Sequence, residues 1–398
     1  MGKIIREDNY SVISDDSIPW ERLRGSVALV TGATGLIGGA LIRALATANA
    51  ERGLRLRLIA HGRDKERGKA LLAAGGKTGA IQFIAGDIRD PAGLAAMTER
   101  PDHIFHCAAI TDSAAMVARP AEVAATAADG AKNLLELARA WRCAGFVFLS
   151  SREVYGQTTL AEVRETDLGY LNLSQPRCCY PESKRFCEAL CAAYAAQYDI
   201  PVKIARLALT FGAGTPKDGG DTRVAYQFAR QALAGENIEL HTEGNSVVSC
   251  CYISDAVRGL LTIMLRGQPR EAYNVANPAA SATVREMAEL VANEVCGGKI
   301  KVVVKPPADI QSRGYAPDVG CRLNADKLKA LGWAPRYGLA AMYRRLLADW
   351  RERQEWQEWQ EWQERQERQE RQERQERQER QERQERQKLQ ERQEARDE

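Results

Sequence analysis

Tyr180 and Lys184 stand four residues apart in Tyr180-Pro181-Glu182-Ser183-Lys184, at the head of SKRFCEALCAAYAAQY, a long stretch with apolar residues at helical spacing. Residues i and i+4 share one face of a helix, and proline favours a helix's first position. The two side chains are therefore predicted on one side of one element. An ammonium beside a phenol stabilises phenolate and lowers a pKa that ordinarily lies near ~10, which makes Tyr180 a candidate general base. The same spacing also arises by chance in ordinary helices, and only what the rest of the chain brings to that point separates the two.

The strand-like run Phe146-Val147-Phe148-Leu149 leads into Ser150-Ser151-Arg152-Glu153-Val154-Tyr155-Gly156. In open parallel sheets ligands bind beyond the carboxyl ends of the strands. Ser151 is then in reach of a substrate oxygen and of Tyr180, and Glu153 can move a second proton. The alternative readings are an ordinary turn serine and a salt-bridged loop carboxylate.

A third group surrounds glycines. Ser26 to Val30 is a short apolar run suited to a buried parallel strand, and TGATGLIGGALIRALATA follows at once. Gly32, Gly35 and Gly38, with Thr34, Leu36 and Ile37 between them, have the spacing of a strand-turn-helix that brings backbone close to a pyrophosphate at a helix N-terminus. The second strand, Leu54 to Ala60, ends in His61-Gly62-Arg63-Asp64. Arginine at this tip suits the 2′-phosphate of NADP and a carboxylate suits the ribose of NAD. Arg63 tilts the reading towards NADP, and Asp64 keeps NAD open. After the third strand, Ile81 to Ala85, Asp87 beside Ile88 is placed either to accept from an adenine amino group or to cap a helix before Pro91. The fourth, His103 to Ala109, ends in small residues including Ala108, against which a cofactor can lie. A helix over Ala121 to Trp141, a strand over Val202 to Leu207 and a glycine-rich loop from Gly212 to Asp221 follow, and thereafter the elements are shorter and mixed.

The 398 residues, 44% of them apolar, suffice for one large α/β core or two smaller ones. The expected organisation is an N-terminal extension over 1–24 anchored by Trp20, a dinucleotide-binding domain over 25–211, a mostly substrate-binding part over 212–350, and a repetitive tail over 351–398. A net charge of +3 without a basic patch argues against nucleic acid and anionic membranes as partners. Ten cysteines without a CxxC or a Cys/His cluster point to reduced thiols, a cytoplasmic location and no metal. No run approaches the ~20 apolar residues of a membrane span. The tail repeats QEW and then QER, and in the QER part glutamate precedes arginine by four residues, as in Glu364 and Arg368, which favours a helix. A period of three drifts against 3.6, so Trp356, Trp359 and Trp362 make no coiled-coil seam. The tail reads as a solvated helix apart from the chemistry, with self-association as the other reading.

Taken together, TGATGLIG, GDIRD, HCAA, SSREVYG, YPESK and LGWAPRYGL resemble the extended short-chain dehydrogenase/reductase family of nucleotide-sugar epimerases, dehydratases and decarboxylases, over about residues 25 to 350. The resemblance implies a Rossmann-type doubly wound parallel sheet with a smaller mixed α/β part, a tightly bound NAD or NADP, a nucleotide-sugar substrate and a homodimer. It places Ser151, Tyr180 and Lys184 on the family's catalytic triad and TGATGLIG on its cofactor turn. Pro176 to Tyr180 is most similar to UDP-glucuronate decarboxylases, which also carry a glutamate at the position of Glu153. Dehydratases carry an Asp-Glu pair there, and Arg152 replaces its first member. Arg177 and Arg223 are the candidate substrate-binding residues. Leu209 and Val248 stand where many members carry an asparagine and an arginine that meet the substrate. The implied chemistry begins with Tyr180, as phenolate, taking the proton of the sugar 4-hydroxyl while hydride passes from C4 to the nicotinamide. The resulting 4-keto sugar can lose its C6 carboxylate, the narrowly favoured outcome, or lead to 4-epimerisation or 4,6-dehydration. A dinucleotide-binding scaffold without catalysis is the reading from another class.

Overall fold

A computed structural model describes residues 1–74, 81–94, 97–215, 223–305 and 322–355. Among these residues, seven parallel strands form the main sheet: β1 (Val27–Thr31), β2 (Arg57–Gly62), β3 (Ile81–Ala85), β4 (His103–His106), β5 (Gly145–Ser151), β6 (Val202–Leu207) and β7 (Ala272–Val275). Their order is β3-β2-β1-β4-β5-β6-β7. Strands β1, β4 and β6 are buried at every residue, as inner strands of a parallel sheet covered by helices on both faces require; β1 is apolar almost throughout, whereas β4 and β6 also bury His103, His106, Lys203 and Arg206. The strand order reverses between β1 and β4, which opens a crevice at their carboxyl ends.

Five helices matter for the site: α1 (Lys3–Ile13), α2 (Leu36–Arg52), α3 (Pro120–Trp141), α4 (Cys179–Tyr198) and α5 (Ile253–Arg266). Pro120 opens α3, and Ala127, Ala131, Leu134, Leu135 and Ala138 recur along it every three or four residues, giving the face that packs on the sheet. Cys187, Cys191 and Ala195 of α4 enter the same core, with Ile104, Phe146 and Phe148 beneath. On the other face, α5 is buried from Ile253 to Leu265 and packs against α2, β5 and β6.

Several expectations change here. The second strand starts at Arg57 because the Asn49 side chain bonds both the N–H and the carbonyl of Leu56, and Arg55 takes φ 54°, so 54–56 is a loop. His61 therefore lies inside the strand. Residues 1–24 carry a helix, α1, seated on α2 and α5, with Trp20 buried in a following short turn. The part after residue 211 is not wholly separate, since α5 and β7 belong to the main layer. Its own sheet joins Leu209–Phe211, Val247–Tyr252 and Asn277–Thr283. The chain divides into units 1–349 and 350–398. Most of the repeat tail, its three tryptophans included, and residues 216–221 of the glycine-rich loop lie outside the described residues. The nine described cysteines are unbridged. Among the described residues no helix is long and apolar enough to cross a membrane, and none of the His, Cys, Asp and Glu side chains group as a metal site.

The turn from β1 into α2 closes on itself. Gly32 has φ +64°, and a Cβ there would sit 2.8 Å from the backbone of Cys107 and Ala108. A Cβ on Gly38 would lie 2.4 Å from the Gly32 carbonyl oxygen. Gly38→Ala is thus expected to lower stability by about 1–3 kcal/mol through overpacking. An unchanged thermal midpoint would show that the turn has room the geometry denies.

His61, His103 and His106 are buried, and burial lowers the pKa of each; for His106 it falls to about 3, with the nearby Lys184 charge adding to the effect. The unfolded chain binds these protons near pH 6.5 and the folded chain does not, so the stability is complete above that value and is lost as pH falls towards the folded pKa. In thermal melts at pH 7.5 and 5.5, His106→Asn should reduce the acid-side loss by roughly 1 kcal/mol per pH unit relative to the parent. Equal losses would mean that His106 is protonated in the fold.

Candidate active site

The site grows from the end of β5. Ser151 closes the strand, and Arg152–Tyr155 form one turn of 3-10 helix that the Ser151 hydroxyl caps by accepting from the Glu153 N–H at 3.2 Å. Gly156, at φ +63°, ends that turn. A buried network fixes it. The Tyr155 hydroxyl donates to Asn274 Oδ1 of β7 at 2.6 Å and accepts from Arg206 Nη1 of β6 at 3.1 Å. Arg206 in turn clasps Glu188 of α4, Nη2 to Oε2 at 2.6 Å and Nε to Oε1 at 3.0 Å. Arg185 of α4 donates to the Val154 carbonyl at 2.7 Å. None of these partners is suggested by spacing, because they come from four separate elements; Tyr155 between apolar neighbours and the charged residues Lys203 and Arg206 within β6 were the available signal.

Helix α4 follows a 3-10 turn, Pro176–Cys178, and carries Tyr180 and Lys184 on its buried side, as their spacing predicted. The expected charge effect differs. Lys184 Nζ donates to the Leu149 carbonyl at 2.7 Å and lies 4.6 Å from the centre of the Phe148 ring. A buried ammonium must find an acceptor, and the nearest is the backbone of β5 rather than the phenol. Burial lowers the pKa of Lys184. Ser151 lies beside the Tyr180 phenol and favours its ionised form. The Tyr180 pKa is pushed up, to about 12, by burial and then by the Glu153 carboxylate, against Ser151 and the charges of Arg223 and Arg177. The cations acting on the phenol are thus arginines, and the expected lowering by Lys184 is not seen in the folded chain.

Glu153 and Arg177 pair through both ends, Nη1 to Oε2 at 2.8 Å and Nη2 to Oε1 at 3.2 Å. The candidate proton carrier and the candidate anion holder therefore engage each other. Arg223 donates to the Thr210 carbonyl at 3.4 Å and lies over the Tyr226 ring at 5.0 Å. Leu209 opens its strand half-buried, and Val248 is buried within the neighbouring strand.

Around the crevice between β1 and β4, the residues present fit a dinucleotide. Gly35 is exposed at the start of α2 with no side chain capping it, so the first N–H groups, those of Leu36, Ile37 and Gly38, have only backbone or ligand to satisfy them. Thr34 lies against Gly62 at the end of β2. Arg63 is exposed just beyond β2, and Asp64 is occupied in capping the next helix through the N–H groups of Glu66 and Arg67. Asp87 accepts from Arg89 at 2.7 Å, and this bond, with that from the Arg89 N–H, lowers its pKa to about 2. It does not cap the helix before Pro91; Asp90 does, accepting from Ala92. Ile88 is buried beside it, and its carbonyl accepts from Asn133 at 3.0 Å. Ala108 is half-buried just past β4.

Comparison with known proteins agrees with this geometry. The model of the NAD dependent epimerase/dehydratase family matches residues 28–276. UDP-glucuronic acid decarboxylase 6 of Arabidopsis thaliana is 31% identical over 277 residues, 69% of this chain and 75% of that protein. UDP-glucuronic acid decarboxylase 1 of Danio rerio is 32% identical over 59% of this chain and 53% of its own length. Among solved structures, the epimerase Mth375 of Methanothermobacter thermautotrophicus superposes with a TM-score of 0.73 at 25% identity, covering 87% of this chain and 97% of that one. UDP-glucose 4-epimerase of Thermotoga maritima superposes at 0.68 and 25% identity, covering 82% and 98%. Glycine turn, strand order and family match coincide on the same residues, and the chain belongs to the NAD dependent epimerase/dehydratase family.

Proposed function

We propose that this chain oxidises a nucleotide sugar at C4 and completes the reaction on the resulting 4-keto sugar, with loss of the carboxyl group of a UDP-hexuronate as the favoured outcome. The observation that carries the reading is the Tyr180 phenol brought beside Ser151 at the carboxyl end of β5, with Lys184 fixed on the same helix. NAD or NADP, when bound, accepts the hydride from C4 and supplies it back. Tyr180 takes the 4-hydroxyl proton. Ser151 holds that oxygen as it becomes a carbonyl, and Arg223 and Arg177 supply the charge that favours phenolate. Similarity to UDP-glucuronic acid decarboxylases supports the choice of reaction, and Glu153 beside the phenol supports proton movement at C5. On the side of the cofactor, the exposed Arg63 is the contact for a 2′-phosphate, since Asp64 is occupied as a cap. A homodimer belongs to the same reading.

A second reading is 4-epimerisation. It is favoured by the pairing of both Glu153 oxygens with Arg177, which withdraws the extra proton carrier that decarboxylation calls on.

Tyr180→Phe is expected to keep the fold and cofactor affinity while turnover drops by about 10²–10⁴-fold, the usual worth of a general base. Full turnover in that variant would remove Tyr180 from the mechanism. With UDP-glucuronate as substrate, carbon dioxide and a UDP-pentose are the expected products, followed by gas release and mass spectrometry. A UDP-hexuronate inverted at C4, without gas, would assign the epimerase reaction.

A further inference from the structure

The arginines around the site differ in what they hold. Arg177 is matched by Glu153, Arg206 by Glu188, and Arg185 by Glu182 and two carbonyls. Arg223 donates to a backbone carbonyl and stacks on Tyr226. Arg152 makes no hydrogen bond and no ion pair among the described residues, although it is half-buried. A guanidinium partly withdrawn from water and left without an anion is an arrangement that a ligand carboxylate can improve.

Its place in the chain limits which ligand group that is. Arg152 lies between Ser151, which lies beside Tyr180, and Glu153, which acts on it electrostatically. Arg152 lies within electrostatic reach of Cys250, in the central strand of the second sheet. The turn is held by the Tyr155–Asn274–Arg206 network, so the side chain starts from a fixed base. An anion met beside the reacting carbon sits on the sugar itself. In a nucleotide sugar the diphosphate is at the far side, on C1, whereas a hexuronate has its carboxylate on C5, next to C4.

We propose that Arg152 binds the sugar carboxylate and gives this chain its preference for a nucleotide hexuronate over the neutral nucleotide hexose. The inference rests on the nucleotide-sugar reading above and adds the residue that selects among such sugars. A guanidinium matches a carboxylate through two parallel hydrogen bonds, which a 6-hydroxymethyl group cannot accept as an anion does.

Binding separates the two claims. In the Tyr180→Phe background, where turnover is suppressed, calorimetry with the cofactor-loaded protein is run with UDP-glucuronate and with UDP-glucose. Arg152→Ala should weaken UDP-glucuronate binding about ten- to a hundredfold, and UDP-glucose less than about threefold, as expected for loss of a charge-assisted pair. Arg152→Lys should recover part of the difference, and Arg152→Gln, which keeps most of the reach without the charge, should not. Equal weakening of both sugars, or none, overturns the assignment of Arg152 while leaving the enzyme reading intact. If the protein with Arg152 in place binds neither sugar, the nucleotide-sugar reading and this inference fall together.

Discussion

The bond from the Lys184 ammonium to the Leu149 carbonyl is the constraint on which the site depends. It joins α4 to the last turn-ward residues of β5, two residues before Ser151, and so fixes the helix that carries Tyr180 against the strand that carries its partner. A buried charge-assisted hydrogen bond contributes roughly 1.5–3 kcal/mol, and losing it would leave both a buried carbonyl and a fixed helix face unsatisfied. The lysine is therefore as much a structural tie as a source of charge.

Around this tie the molecule repeats one arrangement: a cation on one element satisfied by an acceptor on another. Arg206 of β6 holds Glu188 of α4 and the Tyr155 hydroxyl, and Arg258 of α5 bridges Asp15 near the N-terminus at 2.7 Å and pairs with Asp255. Buried pairs of this kind contribute little net stability compared with apolar packing, but removing one partner costs several kcal/mol, so they restrict how the elements can be placed. The apolar core of β1, β4, β5 and α3 supplies the burial; the ion pairs set the register in which the catalytic turn is presented.

Much of this was legible in the sequence. The strands Ile81–Ala85 and Val202–Leu207 have their expected bounds because Gly86 and Pro201, residues disfavoured inside strands, punctuate short runs rich in β-branched and aromatic residues. Tyr180 and Lys184 share a helix face because i and i+4 always do. What was not legible depended on contacts between distant segments. No local pattern says that Asn49 would hold Leu56 and delay β2, that the polar first residues would form a helix on α2, or that Glu153 and Arg177, 24 positions apart, would close on each other. The direction of the Lys184 head belongs to the same class, since spacing fixes the side of a helix and leaves the choice between two acceptors to the packing.

In the proposed reaction the hydrogen on C4 of the nucleotide sugar leaves as hydride while Tyr180 takes the hydroxyl proton, and the hydride is restored within the same active site. UDP-glucuronate carrying deuterium at C4 tests it most directly, in a single-turnover reaction followed by mass spectrometry of the product. The labelled sugar should react more slowly and keep its deuterium at C4 of the product. Label lost to water, or a rate indifferent to the substitution, would contradict it.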